Sequence, residues 1–334
     1  MLMSPSGTGS RNTSCSIAQL CGKERQPRNL ALTDPLWTLE AARHSRRYNL
    51  PNVMASPSTT PGLVLCAPLL RKVDKKLIEL LRSLTPSEWD LRTVSPHWSV
   101  RDVAAHLLDT ALRKLSFVRD SRFVESAAIC SPQDVAALVN RMNAEGVAVF
   151  RRLSPAVLIE LMELACEQSA KFHESLDPFA LAASNVSWAG ESTSLNWFDT
   201  ARELTERWHH QQQIRLATGR PGIMTPELYH PVLDCFLRGL PYLYRAVKAA
   251  TGTTLLAEIC GECGGQWYLA RAEATWSLVS RPTGRIAASI MIPQEIAWRV
   301  FTKGIDRESA QAQVVFKGDR VLAGRVLDLV AIVA

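Results

Sequence analysis

Apolar residues recur at spacings of three and four from about residue 68 onward, which is the pattern of amphipathic helices. The first such segment places Leu70, Val73 and Leu77 on one stripe. The second is predicted to run from Ser99, a favourable N-cap, to about Asp120, with an apolar stripe that ends at Val118. Asp102, three residues after Ser99, completes a carboxylate variant of the capping box. The same pattern predicts further helices over about 132–153, 155–175, 196–218, 225–238 and 242–250, with Gly239-Leu240-Pro241 as a break between the last two.

The periodicity changes after Thr251. Short runs rich in β-branched and aromatic residues, bounded by Gly, Pro and Ser, predict strands at about 254–260, 265–273, 274–280, 284–293 and 313–319. A helix is predicted over about 293–304, and the last dozen residues are expected to form another. The predicted fold class is therefore α plus α+β, with a helical-bundle domain at 61–250 followed by a small α+β domain at 251–334.

Residues 1–60 differ from the rest of the chain. They are rich in Ser, Arg, Asn and Pro and keep no sustained apolar period, so we expect a disordered or misassigned extension; our hypothesis is that Met54 is the true start. The chain carries 38 Lys and Arg against 32 Asp and Glu, a net charge of +6. Most of that excess lies in the first 53 residues, so the remainder is near neutral and indicates no nucleic-acid partner.

Other function classes are disfavoured by the motif content. The longest apolar run, the terminal VLDLVAIVA, has about half of the roughly 20 residues that a membrane helix needs. The eight cysteines are too sparse for a disulfide scaffold and no secretory signal is visible, so we expect a cytoplasmic protein without a membrane partner. No phosphate-binding loop, dinucleotide motif or nucleophile elbow is present. The lone CxxC pair, Cys260 and Cys263, is interpreted as a strand-to-strand turn.

Three residues of the helical part are candidate metal ligands. His106 lies in mid-helix on the same side as Val103 and Leu107, so its side chain is predicted to point into the bundle. Glu206 and His210 are four residues apart, which puts both on one face of their helix. Two imidazoles and a carboxylate converging from two helices would suit zinc or a similar divalent ion. They would also leave an open position, as a catalytic site requires.

Each of these residues also has an ordinary interpretation. A histidine on a partly apolar helix face is more often a core residue than a ligand, and a Glu–His pair four residues apart is commonly a surface pair. His209 is the alternative to His210, because it lies three residues after Glu206. It would, however, lie about 100° around the helix from His210.

Several segments together resemble a known family. PSEWDLRTVSPHWSVRDVAAHLLD, VSWAGE and NWFDTARELTERWHHQQQIRLATGRPG are similar to the N-terminal metal-binding domain of mycothiol-dependent maleylpyruvate isomerases, which belong to the DinB-like superfamily of four-helix bundles. GGQWYL, IAWRVFTKG and VVFKGDRVL resemble that family's C-terminal α+β domain, which is related to sterol-carrier-like folds. Ser95 and His97 depart from the family's usual Cys and Gly, and neither is expected to be a ligand.

The resemblance implies that His106, Glu206 and His210 form one ligand set for a divalent metal, most simply Zn²⁺. It also implies a low-molecular-weight thiol, mycothiol or an analogue, held at the metal as thiolate. The free thiol has a pKa of about 8.5, and metal coordination deprotonates it at neutral pH. In the isomerases the thiolate adds to the cis double bond of maleylpyruvate, and rotation followed by thiol loss gives fumarylpyruvate. Related DinB-like proteins use the site for S-transfer.

The sequence therefore predicts a metal-dependent, thiol-using isomerase or S-transferase acting on a small-molecule substrate. Two alternatives stay open. The chain would be a metal-binding protein without turnover if a fourth protein ligand such as His209 closed the site. It would be a module for apolar ligands if the sterol-carrier-like domain enclosed an apolar tunnel.

Overall fold

The computed structural model describes residues 61–123, 131–282 and 284–332. The predicted extension at 1–60, with Met54, lies outside these residues. The first half of the described chain is helical. Its helices are α1 Ala67–Ser83, α2 Val100–Lys114, α3 Pro132–Phe150, α4 Pro155–Ser175, α5 Asn196–Thr218, α6 Pro226–Leu237 and α7 Leu240–Tyr244.

Four of these helices form a closed bundle. Helices α1 and α2 each pack against both α4 and α5, so the order around the bundle is α1, α4, α2, α5. Helix α3 packs on the outer side of α2, and α6 packs on α5. This arrangement confirms the predicted four-helix bundle and brings α2 and α5, the helices that carry the candidate ligands, into contact. Among the described residues, no helix has the length and apolar character needed to cross a membrane.

Helix α2 begins as the sequence predicts and ends differently. Ser99 Oγ accepts a hydrogen bond from the Asp102 amide at 3.3 Å, and the Asp102 carboxylate accepts one from the Ser99 amide at 3.0 Å. The predicted helix continues regularly to about Asp120, whereas the turn Leu115–Arg119 is π-helical. The wider turn rotates the side chains that follow it, and Phe117 and Val118 face a cavity instead of extending the apolar stripe.

The second part is a five-stranded sheet with short helices. Its strands are β1 Thr254–Cys260, β2 Gly265–Arg271, β3 Trp276–Val279, β4 Ile286–Pro293 and β5 Val315–Gly318. The order across the sheet is β3-β2-β1-β4-β5, with β1 and β4 parallel and the other pairs antiparallel. The helices of this part are α8 Gln294–Phe301, α9 Arg307–Gln311 and α10 Arg320–Gly324. The predicted small α+β region is thereby confirmed.

Two predicted helices are wrong in their bounds. The helix expected over 242–250 is the shorter α7, and it begins inside the predicted break because Pro241 occupies its first turn, where a missing amide proton costs nothing. The terminal helix expected over the last dozen residues begins earlier, as α10, and continues into a 3₁₀ turn at Arg325–Asp328. Asp319 fixes that earlier start, because its carboxylate accepts hydrogen bonds from the Val321 and Leu322 amides.

The buried core fixes α5 from the side of the sheet. Trp208 on α5 stacks on Tyr229 of α6 with ring centroids 4.2 Å apart, and its indole donates a hydrogen bond to the Ile223 carbonyl at 2.9 Å. Tyr229 in turn donates to the Gln294 carbonyl at 2.8 Å and accepts from the Trp298 amide at 3.1 Å. One apolar cluster therefore runs from α5 and α6 into the sheet, and a second fills the bundle between α1, α2 and α4. The division at residue 250 stays a prediction.

Candidate metal centre

The structure brings His106, Glu206 and His210 together. His106 Nε2 lies 3.3 Å from Glu206 Oε1, and His210 Nε2 lies 3.1 Å from the same oxygen. One donor atom from each of the three residues lies within 4.8 Å of the other two. The two imidazole rings meet edge to face, with centroids 4.5 Å apart. Two nitrogens and one carboxylate oxygen thus converge on a single point between α2 and α5.

The three side chains differ in burial and charge. His106 is 2% exposed, His210 is 9% exposed and Glu206 is 26% exposed, so the carboxylate is the accessible member. Burial, with the neighbouring charge of His210, lowers the pKa of His106 to about 4, which leaves its ring neutral at pH 7. Burial alone would raise the pKa of Glu206, but the adjacent imidazoles of His106 and His210 hold it well below its ordinary value. The set therefore presents a neutral imidazole and a charged carboxylate.

The ring of His210 is oriented by Gln213, one turn further along α5. His210 Nδ1 lies 2.9 Å from Gln213 Oε1, and an amide oxygen only accepts, so Nδ1 donates its proton there. The lone pair is then on Nε2, the nitrogen that faces Glu206. Metal-binding histidines commonly have this second hydrogen bond, which fixes the tautomer. Sequence analysis missed Gln213, although its position three residues after His210 is the spacing that puts it on the same face.

Trp98 covers the two imidazoles. Its ring centroid lies 4.7 Å from that of His106 and 5.8 Å from that of His210. Nδ1 of His106 is buried without a hydrogen-bond partner among the described atoms, so the ring is held by packing against Trp98 and by its Nε2 contact. The loop before α2 positions the indole, because the Trp98 amide donates to the Ser95 carbonyl at 3.0 Å. Ser95 and the exposed His97 belong to this loop and do not join the three-residue set.

His209 is held differently from its neighbour. Its Nδ1 donates to the Thr205 carbonyl at 2.8 Å, and burial lowers its pKa to about 3. The ring packs against that of His210 with centroids 3.9 Å apart and planes tilted by 37°, but its donor atoms are not part of the group formed by His106, Glu206 and His210. The structure thus brings His210, not His209, to the carboxylate.

A cavity of about 330 Å³ opens beside the three residues and is lined by His106 and Glu206. Its wall comes from the end of α2, the π-helical turn, α3 and α5. A buried carboxylate lies behind it: Asp199 binds Lys114 at 2.7 Å and Arg202 at 2.6 Å. Burial would raise the pKa of Asp199, and these two cations keep it below its ordinary value. A ligand in the cavity would therefore touch the accessible side of the candidate metal centre.

The CxxC pair lies in the sheet region and is not part of the three-residue set. Cys260 ends β1 and Cys263 lies in the turn before β2, with both thiols free. Burial raises the pKa of each thiol, so neither is an activated thiolate at neutral pH. The strand-to-strand turn interpreted from the sequence is confirmed.

Comparison with known proteins gives matches to one family. Two crystal structures of mycothiol-dependent maleylpyruvate isomerase, one of them a mutant, match with 12% sequence identity. The match to the mutant spans 75% of this chain and 91% of the mutant's chain, with a TM-score of 0.46. The match to the other structure spans 70% of this chain and 86% of that protein's chain, with a TM-score of 0.41. No curated protein matches the chain. Residues 70–215, which include most of the helical part, match the family described as the mycothiol maleylpyruvate isomerase N-terminal domain.

Proposed function

We propose that this protein is a metal-dependent enzyme that uses a low-molecular-weight thiol for isomerisation or S-transfer, with a zinc-like ion bound by His106, Glu206 and His210. The observation that carries the proposal is the convergence of both histidine Nε2 atoms on Glu206 Oε1, at 3.3 and 3.1 Å, on the wall of a cavity. A buried core histidine or a surface ion pair would need neither the third residue nor the cavity.

The donor set fits a divalent ion. Two imidazole nitrogens and one carboxylate oxygen are the ligands of many catalytic zinc sites, which keep their fourth position for water or substrate. The hydrogen bond from His210 Nδ1 to Gln213 leaves Nε2 free to coordinate. The low pKa values of His106 and Glu206 keep both groups deprotonated at pH 7, so no proton has to leave before they bind a cation.

The open position faces the cavity. His106 is enclosed by Trp98 and by the bundle, whereas Glu206 is the member of the set with an exposed edge. An ion bound there would lower the pKa of a coordinated thiol from about 8.5 and keep it as thiolate at neutral pH. The single charge of Glu206 only partly neutralises a divalent cation, which favours an anionic fourth ligand.

The thiol class follows from the family. Residues 70–215 match the mycothiol maleylpyruvate isomerase N-terminal domain, and this match supports our proposal of mycothiol or an analogue as cosubstrate and a small electrophile as substrate. The described cavity lies against the bundle, with only Ala331 and Ile332 contributed from beyond the sheet. It therefore supports chemistry at the metal centre more directly than a ligand-binding role of the C-terminal part.

Cobalt substitution tests whether the site accepts a thiol. The full chain would be loaded with Co²⁺, whose visible spectrum reports its ligands, and titrated with N-acetylcysteine as the probe thiol. We expect a sulfur-to-cobalt charge-transfer band to grow to saturation, with release of about one proton per site at pH 7. N-acetylserine, which differs only in having oxygen, is the matched control and should give no such band. A cobalt-loaded chain that binds N-acetylcysteine without this band would contradict the proposal and favour a closed, non-catalytic site.

A further inference from the structure

One wall of the cavity beside the metal centre is apolar. Phe117 follows α2 in the π-helical turn and contacts Phe123 edge to face, with ring centroids 4.8 Å apart. Leu138, Val139 and Met142 line the same cavity from α3. Arg202, Glu203 and Glu206 line it from α5, so the cavity combines candidate metal ligands with a hydrocarbon surface.

The apolar wall is separate from the two main apolar clusters of the core. Of its five side chains Leu138 is buried and the other four are partly exposed. Among the described residues, these five side chains belong to neither of the two buried apolar clusters and are not among the partly buried residues packed on them. Apolar surface left in contact with water costs about 25 cal/mol per Å², so a contiguous group of this kind needs a partner. Ligand cavities are typically lined in this way, and about 330 Å³ is within the range of small-molecule sites.

The charged residues of the cavity are already neutralised. Arg113 pairs with Asp109 at 2.8 Å and also donates to Asn143 Oδ1 at 2.6 Å. Lys114 and Arg202 share the Asp199 carboxylate.

Glu203 balances the remaining positive charge. It adds a carboxylate close to Lys114 and Arg202 and is itself bound by Arg207 at 3.3 Å, while Arg207 also pairs with buried Asp74. Four cations therefore meet four carboxylates. Among the described Lys, Arg, Asp and Glu residues that line the cavity, only Glu206 is outside these pairs, and it faces the proposed metal position.

We infer that the substrate of this site is a compound with an uncharged apolar body, such as an aryl or branched alkyl electrophile, and not a small diacid. The inference rests on the proposed function for the location of the reacting group. A dianion in this cavity would meet no unpaired cation on the described wall, and its second carboxylate would lie against hydrocarbon, where an unpaired charge is strongly unfavourable. An apolar body instead buries Phe117, Leu138 and Met142 and leaves its electrophilic end near the metal position.

Displacement of a fluorescent probe tests this selectivity. N-phenyl-1-naphthylamine, which is uncharged and fluoresces on leaving water, would be titrated into the full chain. We expect saturable binding of about one probe per chain, with displacement by ethyl cinnamate at concentrations at least about tenfold lower than by maleate. Absence of probe binding, or displacement by maleate as effective as by ethyl cinnamate, would overturn the inference.

Matched substitutions on α3 locate the probe. Val139→Trp fills the cavity and should weaken probe binding at least about tenfold, whereas Val149→Trp makes the same change at a side chain 53% exposed and should leave it within about twofold. Val135→Trp, on the same wall, is a second filling variant, and melting temperatures identify any variant that fails to fold. Equal binding by a folded Val139→Trp or Val135→Trp chain and by Val149→Trp would contradict the assignment.

Zinc content measured on the same samples separates the two proposals. Zinc without probe binding would overturn the inference about the substrate while leaving the metal site standing. Probe binding without zinc, again with preference for ethyl cinnamate, would support an apolar cavity and contradict the metal-dependent function.

Discussion

Nε2 of His106 on α2 lies 3.3 Å from Oε1 of Glu206 on α5, although 100 residues separate the two in the chain. The contact exists only because α2 and α5 are neighbours in the closed bundle, with Trp98 packed over the imidazole. The candidate metal centre is therefore a property of the packed bundle and not of either helix alone. Substitutions that remove a donor atom should lower the metal content, whereas substitutions that loosen the bundle should lower the free energy of unfolding.

Removing either imidazole should abolish metal binding without unfolding the chain. His106→Ala and His210→Ala each leave two donors, too few for tight binding of zinc, while both apolar clusters remain intact. Plasma mass spectrometry should find about one zinc per wild-type chain and almost none in either variant. His209→Ala is the matched control and should retain zinc, because its Nδ1 is bound to the Thr205 carbonyl. Zinc lost in His209→Ala but kept in His210→Ala would reverse the assignment.

Replacing Gln213 should weaken metal binding through its effect on the ring of His210. Gln213→Leu removes the acceptor for His210 Nδ1 while keeping a similar volume, so the ring loses its fixed tautomer. Losing such a hydrogen bond typically weakens metal binding about 10–100-fold, and competition with a chromophoric chelator would measure it. Gln212→Leu is the neighbouring control, because Gln212 Oε1 has no hydrogen-bond partner among the described residues, whereas Gln213 Oε1 is bound to His210. Equal affinities in the two variants would mean that Gln213 does not orient the ligand.

His173 should make the fold sensitive to acid. Burial lowers its pKa from 6.5 to about 4, and its Nδ1 lies 3.1 Å from Thr200 Oγ1. Between these values the unfolded chain binds a proton that the folded chain does not, so the contribution is full above about pH 6.5 and is lost as the pH falls towards 4. It amounts to at most about 3 kcal/mol.

Urea unfolding at pH 7 and pH 4.5 would measure the contribution of His173 to the free energy of unfolding. The decrease in the free energy of unfolding between the two pH values should be smaller in His173→Gln than in the wild type, and other titrating groups cancel in the comparison. His97→Gln, at an exposed loop position, should keep the wild-type decrease. A decrease that is the same in His173→Gln as in the wild type would exclude this source of acid sensitivity.

Arg207 should be the most sensitive charged residue of the bundle interior. Its side chain is 5% exposed and binds Asp74, Glu203 at 3.3 Å and Ser169 Oγ at 2.7 Å. Arg207→Met would leave two buried carboxylates without their cation and should cost about 3–5 kcal/mol, measured by urea unfolding. Arg82→Met breaks a pair with Glu163 in which the arginine is 58% exposed, and should cost less than about 1 kcal/mol. Similar costs for both would show that burial does not decide the effect.

The parts of the site that follow from local spacing could be predicted from the sequence. Glu206 and His210 share a helix face because they are four residues apart, and Ser99 with Asp102 fixes where the helix of His106 begins. His106 was predicted to point inward from its apolar neighbours. These inferences need only helical periodicity and capping chemistry, which act within one or two turns.

The remaining features depend on neighbours that are distant in sequence. Phe117 was expected to continue a helix, but it faces a cavity because the preceding turn is π-helical. The role of Trp98 depends on two imidazoles from different helices, and that of Lys114 on a carboxylate 85 residues away. Pro241 was interpreted as a break between two helices, but it lies in the first turn of α7. Proline is common both at helix breaks and in the first turn of a helix, so the local sequence does not distinguish the two.

Helix α5 faces two ways, and this couples the candidate metal centre to the sheet. Glu206 and His210 face α2, while Trp208 between them stacks on Tyr229 of α6, which is bonded in turn to the start of α8. Cutting the chain before the sheet would uncover Trp208 and Tyr229, both fully buried aromatic side chains. A bundle expressed alone is therefore expected to aggregate, and engineering of the candidate site calls for the full chain.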